Sequence, residues 1–243
     1  MTNATTFLIS DLHLCPTRPA VADLFTSFLV RQARHARALY ILGDLFEYWA
    51  GDDDLADAFN THICSALRSY VVYSAPVYFM AGNRDFLLGS GFARASGVKL
   101  LREPHLADIG GTPTLLMHGD TLCTDDEAYQ KFRAMVRDPA WCRTFLSLPL
   151  AERKAQIEDM RSRSEQEKQG KSAAIMDVNA EAVASVLRAH DYPRLIHGHT
   201  HRQAQHTHLV DGRECQRWVL GDWHDSCNYM TCDESGWRLN TVR

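Results

Sequence analysis

An α/β fold built on a mainly parallel sheet is what this sequence predicts, and three observations carry the prediction. Short, continuously apolar runs alternate with stretches of helical period through the first half of the chain. Five of the apolar runs pass directly into Asp, Asn or His residues. A long helix-prone segment then breaks the alternation before strand-like patterns return near the C-terminus. Strand–helix–strand alternation implies right-handed crossovers, and apolar runs without polar alternation imply strands covered on both faces.

In order, Phe7-Leu8-Ile9-Ser10 reads as a strand that ends in Asp11-Leu12-His13. Residues 19–36 carry Val21, Leu24, Phe25, Phe28, Leu29 and Ala33 at helical spacing, with Pro19 where a first turn tolerates it. Ala38-Leu39-Tyr40-Ile41-Leu42 is the next strand, closed by Gly43 and followed by Asp44. A second helix is expected over 55–71, and Val77-Tyr78-Phe79-Met80-Ala81 then leads into Gly82-Asn83-Arg84-Asp85. Thr114-Leu115-Leu116-Met117 ends in His118-Gly119-Asp120, and Arg194-Leu195-Ile196 ends in His197-Gly198-His199-Thr200-His201. Alternation in Gln216-Arg217-Trp218-Val219-Leu220 and Gly236-Trp237-Arg238-Leu239 predicts antiparallel strands that complete a second sheet, with Gly212 and Gly221 at turns.

Between His118 and His197, residues 125–171 are helix-prone throughout, with Pro139 and Pro149 as helix boundaries. This is read as a helical cap inserted at roughly 123–173 into a single domain spanning 1–243. Residues 131–171 hold ten basic residues against six acidic ones, a net of +4, which leaves −8 on the rest of a chain whose total is −4. The same segment is rich in Phe132, Met135, Trp141, Phe145, Ile157 and Met160. Such residues either pack the helices down or line a greasy pocket with a positive rim.

The overall charge of −4 disfavours bulk nucleic-acid binding. Seven cysteines with no CxxC pair read as reduced thiols of a cytosolic protein. No export signal is visible at the N-terminus, and no apolar run reaches the roughly 18 residues of a spanning helix. No obligate protein partner is implied.

The five strand ends supply a chemically coherent set. Asp11, His13, Asp44, Asn83, His118, His197 and His199 offer oxygen and imidazole donors without thiolates. That mixture suits hard or borderline divalent ions with a shared carboxylate better than a closed structural zinc site. In an open α/β sheet such residues converge at the carboxyl edge. Asp44, at the end of an interior strand, is taken as the centre.

As a set, Asp-x-His, Gly-Asp, Gly-Asn, His-Gly-Asp and Gly-His-x-His in this order resemble the calcineurin-like metallophosphoesterase superfamily. The resemblance implies a two-sheet sandwich flanked by helices. It places Asp11, His13, Asp44 and His199 on one ion, and Asp44, Asn83, His118 and His197 on the other, with Asp44 bridging. Two ions so placed activate a water for in-line attack at phosphorus and need no protein nucleophile. One position departs from the superfamily: Arg84 stands where His is usual. Arginine binds phosphate bidentately but stays protonated, so it cannot protonate a leaving group at neutral pH.

That departure, with Gly-Asp-Leu-Phe-Glu-Tyr-Trp, His-Gly-Asp-Thr-Leu-Cys-Thr-Asp-Asp and His-Gly-His-Thr-His-Arg, resembles the UDP-2,3-diacylglucosamine diphosphatases of lipid A biosynthesis from Phe7 to about Leu239. Within that family the resemblance implies hydrolysis of UDP-2,3-diacylglucosamine to UMP and 2,3-diacylglucosamine 1-phosphate with two Mn2+ ions. By motif, Asn83 and Arg84 would touch the phosphates, Asp126 the glucosamine, Ser164, Lys168 and Lys171 the substrate from the cap, and His197 both metal and substrate. At the position of Lys168 the family commonly has Asn. Peripheral attachment to the cytoplasmic face of the bacterial inner membrane follows from a basic, apolar cap and a lipid substrate. Other metallophosphoesterases, such as dinucleoside polyphosphate hydrolases or phosphoprotein phosphatases, would not need the apolar part of the cap, and a non-catalytic scaffold would lack ligands that this chain has.

Overall fold

Neighbouring residues of the first strand point into different cores, and that division organises the molecule. A computed structural model describes residues 5–169 and 175–242. Phe7 and Ile9 of β1 (Thr6–Ile9) join one apolar cluster, whereas Leu8 joins another on the opposite face. The same split recurs in β2 (Ala38–Leu42), with Leu39 and Ile41 on one side and Leu42 on the other, and in β3 (Val77–Met80), with Phe79 opposed to Met80. Continuous apolar runs thus arise because both faces of these strands are covered.

The first cluster is closed by α1 (Pro19–Arg31), α2 (Ala58–Tyr73) and α3 (Ser90–Ser96), through Phe25, Phe28, Ile63, Leu67 and Phe92. Pro19 occupies the first turn of α1 as expected. The helix stops at Arg31 rather than near 36, although Ala33 is still buried, because the apolar rhythm continues through a turn in which Gln32 N and Ala33 N both donate to Phe28 O. α2 begins later than the periodicity predicts. A 3₁₀ turn fills Asp52–Ala56, and Asp57 then caps the helix by accepting from Phe59 N and Asn60 N.

The first sheet has six strands in the order β11-β10-β1-β2-β3-β4, with β4 at Lys99–Leu101, β10 at Cys227–Asp233 and β11 at Gly236–Val242. β1 to β4 are parallel, and β10 and β11 add antiparallel strands on the other side of β1. Facing it is a five-stranded sheet, β5-β6-β7-β9-β8, formed by His105–Ile109, Thr112–Leu116, Arg194–His197, Arg213–Val219 and Ala204–Val210. Leu8, Leu42, Met80, Leu116, Ile196 and Trp218 fill the seam between the sheets. The expectation for the C-terminal strands is corrected here: the Gln216 run does belong to the second sheet, but the Gly236 run pairs with β10 in the first. The outer face of the second sheet is covered by α7 (Ala180–Ala189) through Val183 and Leu187.

The cap is three helices: α4 (Glu127–Val136), α5 (Pro139–Leu146) and α6 (Leu150–Gln169). Asp126 and Asp138 cap the first two, and Pro139 opens α5 at its first position. Pro149 immediately precedes α6, so both prolines mark boundaries as their missing N–H requires. Cys15, Cys64, Cys123, Cys142, Cys215, Cys227 and Cys232 are unpaired thiols. Among the described residues, no helix is long and apolar enough to cross a membrane.

Candidate metal centre and substrate cavity

The five ligand-bearing strand ends lie on two sheets, not one: β1, β2 and β3 supply Asp11, Asp44 and Asn83, while β6 and β7 supply His118 and His197. They meet because the sheets face each other with these ends on the same side. The chain must turn sharply there to present side chains inward, and it does so with left-handed backbone at Asp11 (φ 56°), His13 (φ 50°), Asp44 (φ 52°), His199 (φ 64°) and His201 (φ 58°). Outside glycine such conformations carry strain of about 1–3 kcal/mol each and gather where function demands them.

Gly82 permits the closest approach. A Cβ at that position would stand 2.1 Å from Asp44 Oδ1. Asp85 fixes the same corner: its carboxylate accepts from Gly82 N (2.8 Å), Leu45 N (2.8 Å) and Asp44 N (3.3 Å), which fastens the loop after β3 to the loop after β2. Burial, reinforced by the Asp44 charge, pushes its carboxyl up to about 7.

Asp44 occupies the position expected of a shared ligand. Its Oδ1 lies 3.7 Å from His118 Nε2 and its Oδ2 4.0 Å from His13 Nε2, so one carboxylate addresses both histidines. Oδ1 also accepts from Arg84 N at 2.8 Å. Asp11, fully buried, accepts through Oδ2 from Ser10 Oγ (2.6 Å) and His199 N (2.9 Å). Ligand-type atoms of Asp11, Asp44 and His118 fall within 4.8 Å of one another, as do those of Asp11, His13 and His201. The two groups share Asp11.

His201 is therefore a member that sequence reasoning missed. Its Nε2 is 3.3 Å from Asp11 Oδ1 and 3.4 Å from His13 Nε2, while its Nδ1 faces Asp222 Oδ2 at 3.3 Å. The signal was present as the third histidine, at the same two-residue spacing, in His197-Gly198-His199-Thr200-His201. His199 corrects the expected division: its Nδ1 sits 2.9 Å from Asn83 Oδ1, which His118 Nε2 also approaches at 2.9 Å. His199 thus stands with the Asn83–His118 group and not beside His13, because left-handed turns at 199 and 201 rotate successive rings apart.

His197 is not drawn into either group. Arg217 Nη1 lies 3.0 Å from its Nε2, and its Nδ1 is 2.9 Å from Gly198 O. A guanidinium only donates, so Nε2 accepts and Nδ1 carries the proton. Burial and the Arg217 charge hold this ring neutral, with its pKa lowered to about 3.

The residues fit a pair of divalent cations. Asp11 Oδ1 and His13 Nδ1 are buried with no hydrogen bond, and two anionic carboxylates, Asp11 and Asp44, are almost fully enclosed. Buried carboxylates this close together are expensive unless a cation meets them. The local field says the same: burial alone would lower His118, yet Asp44 and Asp11 raise it to about 9. Oxygen and imidazole donors without cysteine suit Mn, Zn or Fe class ions.

Around this centre the cap is tied down by charge. Asp120, buried, accepts from Arg133 Nε (2.6 Å) and Tyr129 Oη (2.8 Å) of α4, and Glu103 accepts from His118 N (2.7 Å). Arg161 of α6 reaches Glu47 at 2.7 Å, and Glu47 also faces His13 Nδ1 at 3.3 Å and Arg84 at 3.8 Å. Burial opposes charge on Glu47, but His13, Arg84 and Arg161 together bring its carboxyl down to about 2. Arg153, almost wholly buried, joins α6 to Asp53 and Ala50 O. None of these anchors was anticipated, since each pairs residues far apart in sequence.

A cavity of about 860 Å³ connects the metal-type cluster to the underside of the cap. Its cap wall includes Phe132, Met135, Trp141, Phe145, Ile157 and Met160, so all six of these residues face a pocket. Arg84 lines the cavity with Asn83. Asp126 lines it while capping α4 through Tyr129 N (3.1 Å), and Ser164 lines it from α6. Lys168 lies one turn further along α6, and Lys171 falls outside the described residues.

The chain belongs to the calcineurin-like phosphoesterase family, whose model matches residues 4–203. Within that class, it is 55% identical over 228 residues to the UDP-2,3-diacylglucosamine hydrolase of Aromatoleum aromaticum, covering 94% of this chain and 93% of that protein. It is 47% identical over 245 residues to the protein of the same name from Stenotrophomonas maltophilia, covering 98% of each. A solved structure of an archaeal phosphodiesterase aligns over 98% of this chain and 99% of its own at 11% identity, with a TM-score of 0.48.

Proposed function

We propose that this chain hydrolyses the pyrophosphate bond of UDP-2,3-diacylglucosamine, giving UMP and 2,3-diacylglucosamine 1-phosphate in lipid A biosynthesis. The observation that carries the reading is the continuity of one cavity from a carboxylate–imidazole cluster to an apolar cap wall. A diphosphate needs the first, and acyl chains need the second. Each buried methylene contributes about 0.8 kcal/mol. The names of the relatives, at 47–55% identity over nearly full length, support the same substrate.

Asp11, His13, Asp44, Asn83, His118 and His199 would hold two Mn2+ ions, with His201 beside Asp11. Such a pair supplies Lewis acidity that makes a water nucleophilic at neutral pH and neutralises phosphoryl charge. The protein residues do the rest. Asp44 fixes the spacing of the two halves of the site by addressing His13 and His118 with separate oxygens. Arg84 offers a permanent planar cation to the phosphates, and Asn83 orients beside it. With Arg84 in place of an imidazole, the departing group leaves as a phosphate monoester without needing its proton. Asp126 would meet the glucosamine, and Ser164, Lys168 and Lys171 would contact the substrate from the cap. His197, held as the Nδ1–H tautomer, orients Gly198 in preference to serving as an open ligand.

Peripheral attachment to the cytoplasmic face of the inner membrane is part of the proposal, supported by the basic cap and by Phe132 and Met135, exposed at 41% and 50%. Each Lys or Arg near an anionic surface adds about 1 kcal/mol.

The test is turnover by the Mn2+-loaded protein. UDP-2,3-diacylglucosamine should be cleaved and UDP-N-acetylglucosamine should not. Exchanging Phe132 and Met135 together for Ser should lower kcat/KM for the lipid substrate by about tenfold for each 1.4 kcal/mol of lost contact. Equal turnover of both substrates by the parent protein would overturn the reading.

A further inference from the structure

The cavity does not end at the strand-end cluster; it continues to a polar wall that includes Arg18, His201 and His224. Arg18, at the start of α1, donates from Nη2 to Trp223 O at 2.7 Å and lies 2.9 Å from His224 Nδ1. His224 Nε2 is 2.8 Å from Asp222 Oδ2, which also faces His201 Nδ1. A relay of contacts, Arg18–His224–Asp222–His201, therefore leads from the cavity rim to Asp11 and His13. Arg18, His201 and His224 line the same cavity as the cap residues.

We infer that this wall receives the nucleoside monophosphate half of the substrate. The inference rests on the proposed function and adds to it the direction in which the substrate lies. A diphosphate held at the cluster must send its two substituents along different walls, since they are joined only through the reacting bridge. One wall, formed by α4 to α6, carries Phe132, Met135, Trp141, Ile157 and Met160 among its arginines and fits acyl chains. The other offers what a nucleotide uses. The Arg18 guanidinium is a donor-only cation suited to phosphate or ribose oxygens. The side chains of His201 and His224 are 37% and 67% exposed, leaving flat ring faces on which a base can stack.

Arg18 also staples the Trp223 loop, so its effect on binding must be separated from an effect on folding. The experiment is product inhibition of the Mn2+-loaded enzyme by UMP and by 2,3-diacylglucosamine 1-phosphate, measured for the parent, Arg18→Ala and His224→Ala, with Tm recorded for each. The inhibition constant for UMP should rise about tenfold in Arg18→Ala and severalfold in His224→Ala. That for the lipid product should stay within about twofold, because its contacts lie on the cap wall. An unchanged UMP constant, or an equal loss for both products, overturns the inference. If Arg18→Ala does not fold, His224→Ala decides alone, since it leaves the bond from Arg18 to Trp223 O in place. If the parent fails to cleave UDP-2,3-diacylglucosamine, the proposed function falls on its own. Calorimetric binding of UMP to the same three proteins then judges the inference, and absence of UMP binding to the parent overturns it.

Discussion

Asp44 combines three features rarely found in one residue: near-total burial, a left-handed backbone, and a carboxylate whose two oxygens face different histidines. Replacing it with Ala removes a donor from both halves of the cluster at once. Losing a residue that merely supports a metal ligand typically costs 10–100-fold, so Asp44→Ala, which removes a donor itself, should lose more than about 100-fold in kcat/KM. Metal content measured on the purified variant should fall as well, and full occupancy with activity within tenfold of the parent would show that Asp44 is not shared. The principal donors at this scale were legible, because an apolar run that stops at Asp, Asn or His is a local pattern. What was not legible is how rings rotate about left-handed residues. The shift of His199 to Asn83 and His118, the arrival of His201 beside Asp11 and His13, and the capture of His197 by Arg217 depend on backbone angles and on a guanidinium brought from β9.

At the scale of elements, charge contacts tie the cap to the core, and Glu47–Arg161 reaches the cluster itself. Glu47 in the folded protein titrates at about 2, below an ordinary glutamate near 4.3. A depressed carboxyl stabilises the fold above its unfolded pKa, and that stabilisation is lost as pH falls towards the folded value. In metal-free protein, Glu47→Gln should therefore lower Tm at pH 7 by a few degrees, and the gap between variant and parent should close between about pH 4 and pH 2. A gap independent of pH, read by calorimetry, would mean that the carboxylate charge does not hold α6. Prolines placed two of the three cap helices correctly, since a missing N–H acts locally. By contrast, β4 and α3 are only 3 and 7 residues long, too short for a period to emerge, and β11 was assigned to the wrong sheet because a strand's partner is not written in its own alternation.

For the whole molecule, the ligands come from two sheets that meet along a dry seam of Leu8, Leu42, Met80, Leu116 and Ile196. Anything that binds the assembled cluster but not the open chain must stabilise the sandwich. Mn2+ at about a hundred times its dissociation constant should add about 2.7 kcal/mol. For a chain of this size that corresponds to a rise in Tm of roughly 5–10 °C. The shift should appear on titrating metal into chelator-treated protein and vanish with EDTA, whereas an unchanged Tm would place the metal outside the folded core. The layering was read from sequence only in outline, since apolar runs announce burial on both faces but not which layer covers each.

The pairing of β1 with β10 has a consequence for the order of events during synthesis. Asp11 is synthesised 212 residues before Trp223, yet its carbonyl is held by Trp223 N at 3.1 Å and its strand is flanked by Cys227–Asp233. At about 5–20 residues per second, roughly 10–40 s pass on the ribosome between the two. Through that interval the nascent chain exposes carboxylates and imidazoles in no fixed arrangement, where any passing ion is held only loosely. The full set of donors around Asp11 thus exists only after β10 has joined β1.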